Sequence, residues 1–456
     1  MNTLLNMALE HKIKGENIKA IETLEFAMLV DAEDVYVKYN LAALYGDIGN
    51  FNGASKICKD LIGVGFENYA TWLVLARAYL GLGELDNALA AYQRAKIFNP
   101  ISSELHKEIA QLKWMTSANA EYTLHETQLA IKEHPDNVSL HLIKAEILGY
   151  VDKKDMQLSY VKELIKRFPR EPQVAFLYSR VCLKSCDFGE ALKYAIAIYR
   201  MSSNNADVII HYANCLLACG ESLIADSIVY PTLSMFPKNQ HLIAIQSTIW
   251  RLKGDLRYEQ LCDYKTLVSQ IELSVPDGWN SLEAYLTDLE AELDEIHQFK
   301  THPFAQSVKN GSQVAFINKS SKKALRAYES AVIGAVESYL TTTQNIMEVG
   351  DLRPTVSGAW SVKLFESGHH KNHVHPDGWL SSACHIRFAP AEKKDHQGWL
   401  KLGEPGMFTP KYLPAEKLIK PRRGQVVIFP SYMWHGTIPY KQNIERLSIA
   451  ADINKS

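Results

Sequence analysis

The run WLVLARAYLGLGELDNALAAYQRAKIFNP, from Trp72 to Pro100, decides how the first half of this chain is read. Leu75, Ala76 and Tyr79 recur at helical spacing, Gly83 interrupts them, and Ala88, Tyr92 and Ala95 resume the pattern before Pro100 ends it. That is two helices joined by a glycine turn, with small residues where the helices must approach closely. Thirty-four residues earlier stand Leu41, Ala42, Tyr45, Gly49 and Ala54, and a further step back come Gly15, Ala20 and Ala27. A period of this length with one helix pair per unit predicts a stacked repeat, because a single unit cannot bury its apolar face alone.

The positions Trp72, Leu75, Ala76, Tyr79, Gly83, Ala88, Tyr92, Ala95 and Pro100 resemble the tetratricopeptide repeat at every signature position. The pattern weakens but recurs at Ala145 and Pro169, at Ala191, at Ala213, Gly220, Ala225 and Pro237, and at Gly254. About seven units and a partial one fit into residues 1–255, and the unit near 104–137 is the most degenerate. The resemblance implies an α-solenoid with a concave groove, in which the expected partner is a protein or peptide. The individual alanines and aromatics read as packing, so they do not single out groove residues.

After Gly254 the repeat stops. Tyr258 to Ile271 reads as one more amphipathic helix, and Pro276-Asp277-Gly278 as a turn. Ser281 then caps a long helix over Leu282 to Phe299. A loop carrying His302-Pro303 and Gln306 to Gln313 follows, and then a second long helix from about Ser321 to Thr343. From Gly358 the period changes to short strands. Trp360 to Phe365, Leu380 to Phe388, Trp399 to Leu402, Val426 to Phe429, Trp434 to Pro439 and Leu447 to Ile453 are separated by Gly, Pro, Asp and Asn. Such spacing predicts a double-sheet jelly roll. The expected architecture is multidomain α + β: a solenoid over 1–255, a helical linker with support helices over 256–350, and a jelly-roll core over 351–456.

Composition narrows the function classes. With 47% hydrophobic and 22% charged residues and a net charge of −2, the chain has no basic excess for nucleic acid. No apolar run is long enough to span a membrane, and Met1 to Met7 lead straight into Glu10, His11 and Lys12 rather than into a secretory signal. Seven cysteines, an odd and sparse set, point to a reducing compartment, the cytoplasm. Cys182 with Cys186 and Cys215 with Cys219 sit a helical turn apart. They read as small buried residues of the repeat rather than as zinc ligands.

The chemistry concentrates in His373-Val374-His375-Pro376-Asp377-Gly378-Trp379 and, about sixty residues on, in Met433-Trp434-His435-Gly436 followed by Arg446-Leu447-Ser448. Residues at i and i+2 on a strand face one side, so His373 with His375, or His375 with Asp377, point into the barrel together. A redox-active iron that also binds a bidentate keto acid and oxygen accepts about three protein ligands on one face. His435 supplies the distant member. Arg446 has the rigid fork to hold the far carboxylate of the keto acid, and Ser448 faces the same way as a hydroxyl donor. His369 and His370 read as loop residues outside the site, and His396 and His302 are weaker candidates still.

Trp360-Ser361-Val362, His373-Val374-His375-Pro376, Gly378 to Ala383, Gly398-Trp399-Leu400, Phe429 to Gly436 and Arg446 resemble the iron(II)/2-oxoglutarate oxygenase domain that ends many bacterial tetratricopeptide proteins. Gln306 to Gln313 resembles the signature that precedes that domain, so the likeness covers roughly 260 to 453. The resemblance implies a double-stranded β-helix that oxidises C–H bonds with molecular oxygen, iron(II) and 2-oxoglutarate. In the family pattern position 377 varies while both histidines are kept. That implies His373, His375 and His435 as ligands, with Asp377 the rival carboxylate in a triad with His375 and His435. One departure stands out: Cys384-His385 replaces the usual aromatics, one of which often bonds the cosubstrate, so His385 either substitutes as a donor or marks an altered pocket.

The expected function is hydroxylation of a protein or peptide presented by the solenoid. A small-molecule oxygenase whose repeats serve assembly is the alternative enzyme. A non-catalytic interaction scaffold is the third possibility, against which the intact His435 and Arg446 argue.

Overall fold

Gly15, Gly49 and Gly83 take left-handed backbone angles of +77°, +81° and +77°. Only glycine adopts them freely, and each ends the first helix of a hairpin. These turns come from a computed structural model that describes residues 2–315, 317, 320–343, 353–388, 396–440 and 445–455. The chain divides into two compact units, Met1–Ile147 and Leu148–Ser456.

In the first unit α1 (Asn2–Ile13) pairs with α2 (Asn17–Val30), α3 (Val35–Asp47) with α4 (Phe51–Gly63), α5 (Tyr69–Gly81) with α6 (Leu85–Phe98), and α7 (Ser103–Ser117) with α8 (Ala120–Glu133). The division between units falls within α9 (Val138–Tyr150). Ala20, Ala27, Ala54, Ala88 and Ala95 are fully buried. A methyl group is all that fits where the paired helices touch. Side chains of Asp34, Asn50, Asn68, Ser102 and Asn119 accept backbone N–H bonds at the helix starts, so the polar residues between apolar runs are caps.

The second unit begins with further hairpin helices: α10 (Lys154–Arg167), α11 (Pro172–Lys184), α12 (Phe188–Met201), α13 (Ala206–Ala218), α14 (Ser222–Met235) and α15 (Gln240–Lys253). Then come α16 (Arg257–Leu261), β1 (Ser269–Glu272), α17 (Leu282–Ile296), β2 (Val308–Ala315) and α18 (Lys323–Thr343). The remaining strands are β3 (Pro354–His370), β4 (Leu380–Arg387), β5 (Leu400–Leu402), β6 (Lys417–Ile419), β7 (Gln425–Pro430), β8 (His435–Thr437) and β9 (Arg446–Lys455). They form a six-stranded antiparallel sheet in the order β1-β7-β4-β9-β3-β2 and a three-stranded sheet β6-β5-β8. The chain is thus an α-helical repeat followed by a double-sheet β domain.

Alternation along the strands decides which side of the large sheet does chemistry. Leu447, Ile449, Ala451 and Ile453 of β9, with Cys384 and Ile386 of β4 and Val426 and Ile428 of β7, pack beneath α17 and α18. Leu286, Leu289 and Leu293 of α17 and Tyr328, Val332 and Val336 of α18 close that layer. The other face carries Arg446, Ser448, Ala450 and Asp452 at the complementary positions of β9 and His385 on β4, all lining a cavity.

Three local expectations are corrected. Tyr258 to Ile271 is not one helix: Asp263 accepts the backbone N–H of Lys265 and the hydroxyl of Thr266, a turn that follows α16. Ser269–Glu272 then joins the sheet edge opposite Ile428 to Gln425. A four-residue alternating run cannot be told from a helix fragment by its period. Gln306 to Gln313 is not all loop, since Val308–Ala315 forms β2 along β3. His369 and His370 lie on β3, paired with Lys309 and Val308. The expected boundary at 350/351 lies outside the described residues.

Candidate metal centre

His373, His375 and His435 converge. Their ligand atoms all lie within 4.8 Å of one another, and among the described residues they are the group of His, Cys, Asp or Glu side chains so placed. His373 and His435 are brought together by an antiparallel bridge in which each backbone N–H donates to the other's carbonyl, at 2.9 and 3.0 Å. Gly436 makes that approach possible: a Cβ there would sit 2.9 Å from the His370 carbonyl oxygen and 2.5 Å from the Asn372 side chain.

Each imidazole is oriented by its Nδ1. In His373 it meets the Lys371 carbonyl at 2.8 Å, and in His435 the Met433 carbonyl at 2.9 Å. In His375 it meets Asp452 Oδ1 at 2.6 Å. Carbonyls and carboxylates only accept, so Nδ1 carries the hydrogen in all three and Nε2 keeps its lone pair. The Nε2 atoms of His373 and His375 are 3.2 Å apart. Two lone pairs at that distance repel unless a cation lies between them. The donor set fits a divalent transition metal, with Nδ1 held from behind as metal-binding histidines generally are.

Burial favours the neutral, ligating form. It pushes His373 down to about 3, with the neighbouring His375 adding to the effect. Burial, then His373 and His375, holds His435 well below its ordinary value. The Trp360 ring stacks on His375 at 5.4 Å and Phe429 meets His435 edge-on at 4.8 Å, so apolar surface backs the imidazoles.

Asp377 is exposed and stands outside the histidine group, although it lines the same cavity. Asp452 does what sequence reading missed, by holding His375. The signal was present, because Arg446, Ser448, Ala450 and Asp452 are one face of β9 at period two. From sequence alone, His370 reads as a loop residue outside the site. It lines the cavity, with its Nδ1 3.0 Å from Ser307 Oγ, and burial keeps it well below its usual pKa.

Arg446 is 3% exposed and no acidic partner is found for it among the described residues. Its Nη1 donates to the Gly398 carbonyl and its Nη2 to His385 Nδ1 at 3.0 Å. A guanidinium only donates, so His385 accepts at Nδ1 and carries its hydrogen on Nε2. Arg446 Nε and His385 Nε2 are both buried with no acceptor. Two buried donors without acceptors, one of them on a cation with no acidic partner among the described residues, suit a carboxylate. Burial lowers Arg446 only to about 10, so it stays charged near neutrality. Ser448, opposite His385 in the β4–β9 register, shares this wall.

Helix α15 of the repeat grips the segments that carry the histidines. The Gln240 N–H donates to the Pro376 carbonyl at 3.1 Å, directly after His375. The Trp434 indole, directly before His435, donates to Thr248 Oγ1 at 2.9 Å and the Ala244 carbonyl at 3.3 Å. Ala244, Val374 and Trp434 form one apolar cluster, and His241 meets the Trp434 ring edge-on at 5.8 Å. The cavity itself has a volume of about 640 Å³, and Asn214 of α13 and His241 of α15 stand in its wall.

Residues 358–452 match the family model described as "Putative 2OG-Fe(II) oxygenase". Over 81 residues the chain is 30% identical to Superkiller protein 3 of Schizosaccharomyces pombe, a match covering 18% of this chain and only 6% of that protein's length. Among solved structures it is similar to a tetratricopeptide repeat protein from Parabacteroides merdae (18% identical, 54% of this chain, 98% of that one, TM-score 0.39). It is also similar to a prolyl-4-hydroxylase from Pseudomonas putida (15% identical, 42% of this chain, 96% of that one, TM-score 0.30). No helix among the described residues is long and apolar enough to cross a membrane. Residues 358–452 are thus similar to a 2OG-Fe(II) oxygenase domain, and in this chain they lie C-terminal to a run of helical hairpins.

Proposed function

We propose that this chain is an iron(II)- and 2-oxoglutarate-dependent dioxygenase that hydroxylates a protein or peptide substrate. The observation that carries the reading is the convergence of three Nε2 lone pairs whose Nδ1 atoms are each pinned by an oxygen acceptor. His373, His375 and His435 would hold iron(II), and Asp452 would keep the His375 ring turned toward it. Arg446 and His385 would take the distal carboxylate of 2-oxoglutarate through the donors left without acceptors, with Ser448 beside them. When bound, iron(II) and the keto acid supply the oxidation. One atom of O₂ enters the succinate formed as CO₂ leaves, the other enters a substrate C–H bond, and keto acid and substrate give two electrons each. Trp360 and Phe429 limit water around the imidazoles, which protects such a reaction from side paths.

The repeat helices in the cavity wall support a macromolecular substrate, and all seven cysteines are free, which supports a reducing compartment such as the cytoplasm. The cavity volume also suits a small molecule, which keeps that alternative as the second reading. Purified protein given iron(II) and 2-oxoglutarate should release succinate slowly without substrate, and His435→Ala should abolish the release. No succinate from the unaltered protein refutes the proposal.

A further inference from the structure

The repeat helices contribute to the cavity a hydrogen-bond acceptor that nothing in the chain uses. Asn214 lines the cavity, and its Oδ1 is buried behind that wall with no donor within reach. Leaving such an atom unsatisfied is unfavourable unless something arrives to pair with it. Asn214 sits on α13, and its companion on the wall, His241, sits on α15, so both come from the repeat rather than from the β domain. Burial keeps His241 neutral by lowering its pKa, and its ring is committed edge-on to Trp434.

The cosubstrate does not fill this space. About ten non-hydrogen atoms at no more than roughly 30 Å³ each take at most about 300 Å³, whereas the cavity holds about 640 Å³. Its donors, Arg446 Nε and His385 Nε2, belong to the β9 and β4 wall and call for an anion. Asn214 Oδ1 is an acceptor and calls for the opposite chemistry, an N–H group. A peptide in extended form brings a backbone N–H at every residue other than proline, and each must be satisfied once buried.

We propose that Asn214 is a specificity-determining residue: from the repeat, it accepts a backbone N–H of an extended peptide and so sets which C–H bond lies at the metal. This rests on the dioxygenase proposed above. The test measures succinate release by the full chain with iron(II) and 2-oxoglutarate, alone, with an unbiased pool of synthetic decapeptides, and with a pool of free amino acids. Mn(II) affinity and the melting temperature of each variant report whether the site and fold are intact. Peptides should stimulate release. Asn214→Leu should raise the half-saturating peptide concentration about three- to tenfold, the loss of one hydrogen bond. Asn214→Asp, which keeps an acceptor, should recover most of that loss. Stimulation with the same half-saturation in Asn214→Leu overturns the assignment. Stimulation by free amino acids but not by peptides overturns the peptide class, as does succinate release that no peptide alters. Absence of succinate under every condition is a different result, and takes the dioxygenase reading down with it.

Discussion

Thr248→Val should weaken metal binding although Thr248 belongs to a helix of the repeat, α15. Thr248 is 1% exposed and accepts the Trp434 indole N–H at 2.9 Å. Valine keeps the shape and removes the oxygen. The indole then depends on the Ala244 carbonyl at 3.3 Å, beyond the usual range for an N–H···O bond. A neutral hydrogen bond contributes about 1 kcal/mol net, which is about fivefold in an equilibrium constant. Trp434 precedes His435 and its own carbonyl accepts from Gly403, so a loosened indole loosens the backbone that presents the ligand. Mn(II) titration should show affinity reduced about three- to tenfold, and Thr248→Ser should restore it. If Thr248→Val melts lower yet binds Mn(II) within twofold of the unaltered protein, the contact is packing only and the idea that α15 positions the metal ligands fails.

Asp452→Asn should lower Mn(II) affinity about ten- to a hundredfold, because the carboxylate that fixes the His375 ring is lost; unchanged affinity would show that the ring is held by Trp360 stacking alone. Arg446→Leu should weaken 2-oxoglutarate binding at least about a hundredfold by isothermal titration while sparing Mn(II) affinity, since two bonds to a charged group disappear. His297, between Ser312 Oγ at 2.6 Å and Ser361 Oγ at 2.8 Å, is pushed down to about 3 by burial. The unfolded chain takes up that proton below about 6.5 and the folded chain does not, so stability is full above 6.5 and falls as pH drops toward 3. The loss from this residue is about 2 kcal/mol at pH 5, readable as a lower urea midpoint at pH 5 than at pH 7.5; equal midpoints would refute it. Deleting residues 1–255 removes α15 and its bonds to Pro376 and Trp434, and the remaining piece should not bind Mn(II).

The repeat and the sites were legible to different depths. Gly15, Gly49 and Gly83 announce the hairpins because a left-handed turn has one residue that suits it. His373, His375, His435 and Arg446 were legible because their spacing implies adjacent places in a sheet. Which neighbour joins His375 was not, since His373 and Asp377 are both two residues away. In the structure a backbone bridge joins His373 to His435 while Asp377 stands outside the histidine group, and that bridge is a long-range contact without a local signal. Asp452 was hidden by distance from its partner, although its place on the Arg446 face of β9 could have flagged it. Ser269–Glu272 was misassigned because its strand character comes from β7, not from its own four residues. The grip of α15 on Trp434 was beyond sequence reading, as Thr248 looks like any packing residue of a repeat helix.

The ligand set tests the account most directly. Mn(II) binding should be measured by titration, with its electron paramagnetic resonance signal as the readout, in the full chain and in four single variants. His373→Ala, His375→Ala and His435→Ala should each abolish tight binding, and Asp377→Ala should retain it within about threefold, as an exposed residue outside the histidine group would. Loss of binding in Asp377→Ala with retention in His373→Ala would contradict the three-histidine centre.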